Sequence, residues 1–211
     1  MMNPLIEQIS TLKIWKSEVD IAAVDGGITN QNFIVNDQGK RFFVRAGADI
    51  PVHGVKRFNE LAASRAAHAA GLSPEVIYAE PGIMVLQHID AATCTPEDLR
   101  QPNKLPEIVD LLKRCHHDIP RLYRGPALVF WVFQVLRDYS HTLHDAHASN
   151  SKQLSELISK ANQLEQGVGE IELVFGHNDL LAANFLDDGN KLWLIDWDYA
   201  GHNSPLFDLA N

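Results

Sequence analysis

Asp179, Asn184 and Asp196 are spaced so that two carboxylates and one amide can meet in a single site. Asn184 follows Asp179 by five positions, and Asp196 follows it by seventeen. Phosphoryl transfer asks little covalent chemistry of a protein and depends on positioning and on neutralising charge around the transferred group. One carboxylate accepts or orients the proton of the attacking hydroxyl, a role that suits Asp179. An amide and a second carboxylate hold the metal ions that bridge the phosphates. Asn184 and Asp196 supply the oxygen donors that magnesium prefers.

The surrounding residues read as the elements that would hold such a site. Val174-Phe175 leads into the loop, Phe185-Leu186 leaves it, and Asp188-Gly189-Asn190 is a hairpin turn signal. Leu192-Trp193-Leu194-Ile195 then returns the chain to Asp196. An Asp and an Asn five apart occur by chance in many proteins. The strand, loop, hairpin and second loop around this pair make it specific, and the order matches that of a kinase catalytic loop and its metal-binding Asp.

Further upstream, residues 20 to 46 alternate apolar and polar residues around Gly26-Gly27 and around Asn36-Asp37-Gln38-Gly39, which predicts three antiparallel strands. Gly26-Gly27-Ile28-Thr29-Asn30-Gln31-Asn32 lacks the G-x-G-x-x-G pattern, yet glycines followed by small polar residues bring backbone N–H groups close to phosphate oxygens. Gly27, Thr29, Asn30 and Asn32 are therefore candidate nucleotide contacts, with a plain hairpin turn as the competing reading. Helical periodicity runs from Lys56 to a C-capping Gly71. Two strands, Pro74 to Ala79 and Ile83 to Leu86, turn at Pro81-Gly82. Helices are expected over Pro106 to His117, Leu128 to Ala146 and Ser151 to Gln166, packing into the core together with the Phe130, Trp131 and Phe133 cluster. Cys115, His116 and His117 are adjacent helix positions that point in different directions, so one shared metal ion is not expected there.

The 211 residues suffice for a sizeable core in one or two domains. A net charge of −9, from 18 basic and 27 acidic residues, argues against a nucleic-acid binder or a binder of anionic membranes, although it would suit a cationic substrate. The two cysteines, Cys94 and Cys115, form no disulfide framework. Neither a secretory signal nor a membrane-spanning run is evident, and the cytoplasm is the expected compartment.

His177-Asn178-Asp179-Leu180-Leu181-Ala182-Ala183-Asn184 and Ile195-Asp196-Trp197-Asp198-Tyr199-Ala200-Gly201, closing with Phe207-Asp208-Leu209-Ala210-Asn211, resemble the choline and ethanolamine kinase family. That family belongs with the aminoglycoside phosphotransferases in a protein-kinase-like superfamily. The resemblance spans nearly the whole chain, with the specific motifs in its last forty or so residues.

The resemblance implies an α+β, two-lobed, protein-kinase-like fold. Residues 1–89 would form a nucleotide-binding lobe of antiparallel sheet with one helix, and residues 90–211 a mainly helical catalytic lobe carrying the hairpin. ATP with Mg2+ would be the donor and a small amino alcohol, choline or ethanolamine, the acceptor. Arg45 stands where the superfamily places its phosphate-gripping lysine, and Glu60 resembles the glutamate that pairs with it. Gln87-His88-Ile89-Asp90 resembles the hinge between the lobes, where backbone groups at Gln87 and Ile89 would meet adenine. His177 supports the geometry of the loop, Asp198 is a second ligand or an outer support of the metal, and Asp208 resembles the family's aspartate after the metal loop, where an N-cap or loop-bracing role stands beside a catalytic one. The chain stops at Asn211 where the family continues into helices that complete the acceptor pocket, so a fragment with uncovered apolar surface is one expectation. Thiamine or aminoglycoside phosphotransferase activity and a non-catalytic nucleotide-binding module are the alternatives.

Overall fold

A computed structural model describes residues 4–24, 30–147 and 151–211, apart from the side chains of residues 151 and 152. In chain order the elements are α1 (Pro4–Ser10), β1 (Asp20–Val24), β2 (Gln31–Asp37), β3 (Lys40–Ala46), α2 (Arg57–Ala69), β4 (Val76–Glu80) and β5 (Ile83–Gln87). There follow β6 (Ala92–Thr93), α3 (Pro96–Leu99), α4 (Leu105–His117), α5 (Ile119–Leu122), α6 (Val132–Asp145) and α7 (Ser151–Val168). The chain closes with β7 (Val174–Gly176), β8 (Phe185–Asp187), β9 (Leu192–Leu194), β10 (Gly201–Asn203) and α8 (Pro205–Ala210). The architecture is the expected α+β one.

An antiparallel sheet in the order β1-β2-β3-β5-β4 occupies the N-terminal part. Its alternation buries Phe33 and Val35 on β2 and Phe42 and Val44 on β3, as period-2 side chains on a one-sided sheet require. The β2–β3 hairpin turns through Gln38 (φ 53°) and Gly39 (φ 83°), the paired left-handed conformation that matches strand twist. Asn36 Oδ1 accepts the Gly39 N–H at 2.8 Å and closes this turn. Ile9 and Leu12 cover the buried face of the sheet, forming a first core with Phe33, Val35, Val44, Ile83 and Val85.

A second core lies among α2, α4 and the later hairpins. Ala63, Ala66 and Ala67 on α2 pack there with Leu111, Cys115, Phe175, Leu194 and Trp197. Helix α2 therefore precedes residue 89 in sequence but buries its small-residue face with the helical part. It ends at Gly71, whose φ of 73° is the left-handed C-terminal cap that favours glycine.

Two expectations for the middle of the chain are corrected. Leu128 to Trp131 is extended rather than helical: the His202 N–H donates to Leu128 O at 2.7 Å, and the Phe130 N–H donates to His202 O at 2.9 Å. This close approach needs Gly201, where a Cβ would lie 2.6 Å from Leu128 O. An apolar run of this length carries no periodicity that separates strand from helix, and a distant partner, His202, decides the outcome. The second correction concerns α6 and α7, which were expected to pack into the core. None of the α6 residues is buried, and the two helices pack mainly on each other, held by Arg137 and Trp131 against Glu165 at 2.6 and 2.5 Å. Leu143, Leu157 and Leu164 are exposed, while Phe130, Trp131 and Phe133 are half-buried. Among the described residues, no helix is long and apolar enough to cross a membrane.

Candidate active site

Strand β7 delivers the chain to His177 at full burial. The His177 ring packs on Trp197, with centroids 4.6 Å apart, and its Nε2 lies 2.9 Å from Ile195 O. A carbonyl only accepts, so Nε2 carries the proton. Asn178 follows with φ 65°. Its amide donates to Tyr199 O at 2.9 Å and accepts from Asn203 Nδ2 at 3.0 Å. This tie joins the loop to the segment after Asp196 and turns Asp179 away from the core.

Asp179 is half-buried, and Asn184 reaches back to it: Nδ2 donates to Asp179 O at 2.8 Å and lies 3.4 Å from its Oδ2. A 3-10 turn over Ala182–Asn184 sets this geometry, and the Ile195 N–H donates to Asn184 O at 3.0 Å, bringing the residue before Asp196 alongside. Burial pushes the Asp179 carboxyl above its ordinary value; His177 opposes the shift and Asp196 adds to it.

Asp196 sits at φ 67°, a strained conformation for a residue with a side chain, of the kind that concentrates at functional sites. Its Oδ1 accepts from Arg45 Nη2 at 2.9 Å, and its side chain is 32% exposed. An amide oxygen and a partly exposed carboxylate are the donor types a hard divalent cation takes when phosphates and water complete its shell. The residues present therefore fit magnesium. Among the described residues, no group of three or more His, Cys, Asp or Glu side chains is arranged to hold a metal.

Arg45 is almost completely buried. Its Nε lies 2.9 Å from Glu60 Oε1, a charge contact outside hydrogen-bond alignment, and its Nη2 lies 3.3 Å from Asp198 Oδ2. Burial works against its charge, but Glu60, Asp196 and Asp198 outweigh that and hold it above its ordinary value. Asn30 Nδ2 also donates to Asp198 Oδ2, at 3.3 Å. Sequence reasoning missed Arg57. Its Nη1 contacts Glu60 Oε2 at 2.6 Å and Asp198 Oδ1 at 2.9 Å. The available signal was an arginine one helical turn before Glu60.

A cavity of about 270 Å³ adjoins these groups, with Asn32, Arg45, Gln87, Ile89 and Asp196 among its lining. Asn32 pairs with Arg45 across β2 and β3. The Gln87 N–H donates to Glu75 O at 2.8 Å, and Gln87 and Ile89 stand in the cavity wall. His88 lines the same cavity. Gly27 and Thr29 lie outside the described residues. Cys115, His116 and His117 diverge: Cys115 Sγ faces Phe175 O, and His116 Nε2 faces Asp208 Oδ2 at 2.9 Å.

The profile of the choline/ethanolamine kinase family matches residues 21–211. The chain belongs to this family. Among relatives, Protein LicA of Haemophilus influenzae is 31% identical over 88% of this chain and 55% of its own length. A probable ethanolamine kinase of Arabidopsis thaliana is 31% identical over 90% of this chain and 54% of its own. The chain thus spans about half the length of these curated relatives. A crystal structure of a choline/ethanolamine kinase family protein from Mesorhizobium loti superposes with a TM-score of 0.75 at 26% identity, covering 98% of this chain and 67% of that one. The aminoglycoside phosphotransferase APH(4)-Ia shares the fold, with a TM-score of 0.66 at 15% identity, 99% coverage of this chain and 76% of that one. The two-lobed protein-kinase-like fold is thereby established, as the sequence resemblance implied.

Proposed function

We propose that this chain transfers the γ-phosphoryl group of ATP to the hydroxyl of choline or ethanolamine. The observation that carries the proposal is the meeting of Asp179, Asn184 and Asp196, from three points in the sequence, beside a cavity whose other wall presents Arg45 paired with Glu60. Residues 1–89 would serve as the nucleotide lobe and residues 90–211 as the catalytic lobe.

Asp179 orients the acceptor hydroxyl and takes its proton as the oxygen attacks phosphorus; its raised pKa suits a base that must also release the proton. Asn184 steadies the Asp179 backbone through Nδ2 and, with Asp196, would hold Mg2+. Bound Mg2+ would neutralise charge developing on the phosphate oxygens. Arg45 holds the α- and β-phosphates, and Glu60 fixes the direction of its guanidinium. Asn32, which faces Arg45 across β2 and β3, would meet the phosphates, with Gly27, Thr29 and Asn30 as further candidate nucleotide contacts, and Gln87 and Ile89 would form the adenine wall. His177 shapes the loop from beneath. The net charge of −9 would attract a cationic amino alcohol.

ADP release by the purified chain with Mg-ATP and, separately, choline, ethanolamine, thiamine and an aminoglycoside tests the proposal. Turnover dependent on choline or ethanolamine is expected. Turnover with thiamine or the aminoglycoside alone would reassign the acceptor. ATP-dependent stabilisation without turnover on any acceptor would identify a nucleotide-binding module instead.

A further inference from the structure

We infer that Arg57 is a positioning residue for the phosphate-binding arginine, acting through a closed ring of four charged side chains. The inference rests on the reading of the cleft as the ATP site of a kinase. Arg45 and Arg57 bridge the same two carboxylates from opposite sides. Glu60 gives Oε1 to Arg45 Nε at 2.9 Å and Oε2 to Arg57 Nη1 at 2.6 Å. Asp198 gives Oδ2 to Arg45 Nη2 at 3.3 Å and Oδ1 to Arg57 Nη1 at 2.9 Å. Each carboxylate spends one oxygen on each arginine, so neither Glu60 nor Asp198 can turn without breaking a contact to the other cation.

The surroundings give this ring its force. The side chains of Glu60 and Asp198 are 4% and 3% exposed and that of Arg45 is 9% exposed, so water does little to screen them. Arg57 is itself anchored at its other end, with Nε donating to Ala48 O and its backbone N–H to Asp49 Oδ1, both at 2.9 Å. The ring spans the fold: Arg45 rides on the sheet, Glu60 and Arg57 on α2, and Asp198 on the loop after the catalytic hairpin. It holds the Nε and Nη2 edge of the Arg45 guanidinium.

Without Arg57, the buried Arg45 would face Glu60, Asp196 and Asp198 alone, one cation among three carboxylates. Two buried carboxylates would also lose a partner, which is the costly way to break a buried ion pair. Arg45 would then be drawn among competing anions and its phosphate-facing geometry relaxed. The adenine wall at Gln87 and Ile89 is built from other elements and would keep its shape. Arg57 should therefore control the part of nucleotide affinity that comes from phosphates.

Calorimetric titration of the whole chain with adenosine and with Mg-ATP separates the two parts. Wild type should bind ATP more tightly than adenosine. Arg57→Gln should reduce that ATP-to-adenosine affinity ratio by about tenfold, the equivalent of one charge contact, and leave adenosine affinity within about twofold. Arg57→Lys, a point charge in place of a fork, should recover part of the ratio, and it carries the test alone should Arg57→Gln fail to fold. A ratio unchanged in the folded variants, or adenosine and ATP affinity falling together, would overturn the inference. Wild type with no preference for ATP over adenosine would overturn the kinase reading, and the inference with it.

Discussion

Asp208 Oδ1 accepts the backbone N–H of Asn178 at 2.8 Å. The partner oxygen, Oδ2, accepts the His177 N–H at 3.0 Å and faces His116 Nε2 at 2.9 Å. A carboxylate from the first turn of α8 thus anchors the two residues before Asp179, while α4 holds it from behind. Asp208 is 4% exposed, so water does not replace what it provides.

Asp208→Ala should destabilise the fold by about 3 kcal/mol, since it strands buried backbone donors that a charged acceptor had satisfied. Urea unfolding measures this. A loss below about 1 kcal/mol would mean that the loop holds its shape by other ties.

Asp179→Asn should lower turnover by about 10² to 10⁴-fold, the usual contribution of a positioned base, with ATP affinity nearly unchanged. Burial raises the Asp179 pKa, and a base works deprotonated. Turnover of the wild type should therefore fall as pH drops through that raised value, with the acid limb above the ordinary aspartate range. A pH–rate profile flat down to the ordinary range would remove Asp179 from the role.

Asp37, at the end of β2, ties that strand to the segment after α1. Lys16 N–H donates to its Oδ2 and Ser17 Oγ to its Oδ1, both at 2.8 Å, and the backbone bond from Lys16 is the main reason its carboxyl lies below the ordinary value, with burial opposing and Ser17 assisting. A depressed carboxylate stabilises the fold above its unfolded pKa of about 4 and loses that contribution as pH falls through the folded value. Asp37→Asn should therefore flatten the loss of thermal stability between about pH 5 and pH 3. An unaltered slope would place the acid-sensitive group elsewhere.

Glu165 is the pin between α6 and α7, taking Arg137 and Trp131 on its two oxygens. Glu165→Ala should raise amide exchange across α7 by about tenfold, as expected of a unit that opens locally, and leave exchange in β3 and β5 unchanged. Hydrogen-exchange mass spectrometry reads both regions at once, and a uniform rise would show that the pair is coupled to the rest of the fold.

Local chemistry made much of this legible. Gln38 and Gly39 close the β2–β3 turn where Asn36-Asp37-Gln38-Gly39 signalled it, and the Asp179 to Asp198 segment forms its loop and hairpin within the stretch that announced them. What escaped depends on distant partners. Leu128 to Trp131 is extended because His202 offers hydrogen bonds and Gly201 offers room, and neither residue changes the apolar run itself. In the sequence Arg57 is only a cation near the start of a helix. Its significance comes from Asp198, 141 positions away, a separation that periodicity does not register.

Helix α2 buries its alanines with the helical core, whereas Arg45 belongs to the sheet. The 2.9 Å contact between Arg45 and Glu60 is therefore a joint between two separately packed bodies. The direction of the Arg45 guanidinium is thus set by a helix that packs with the other core.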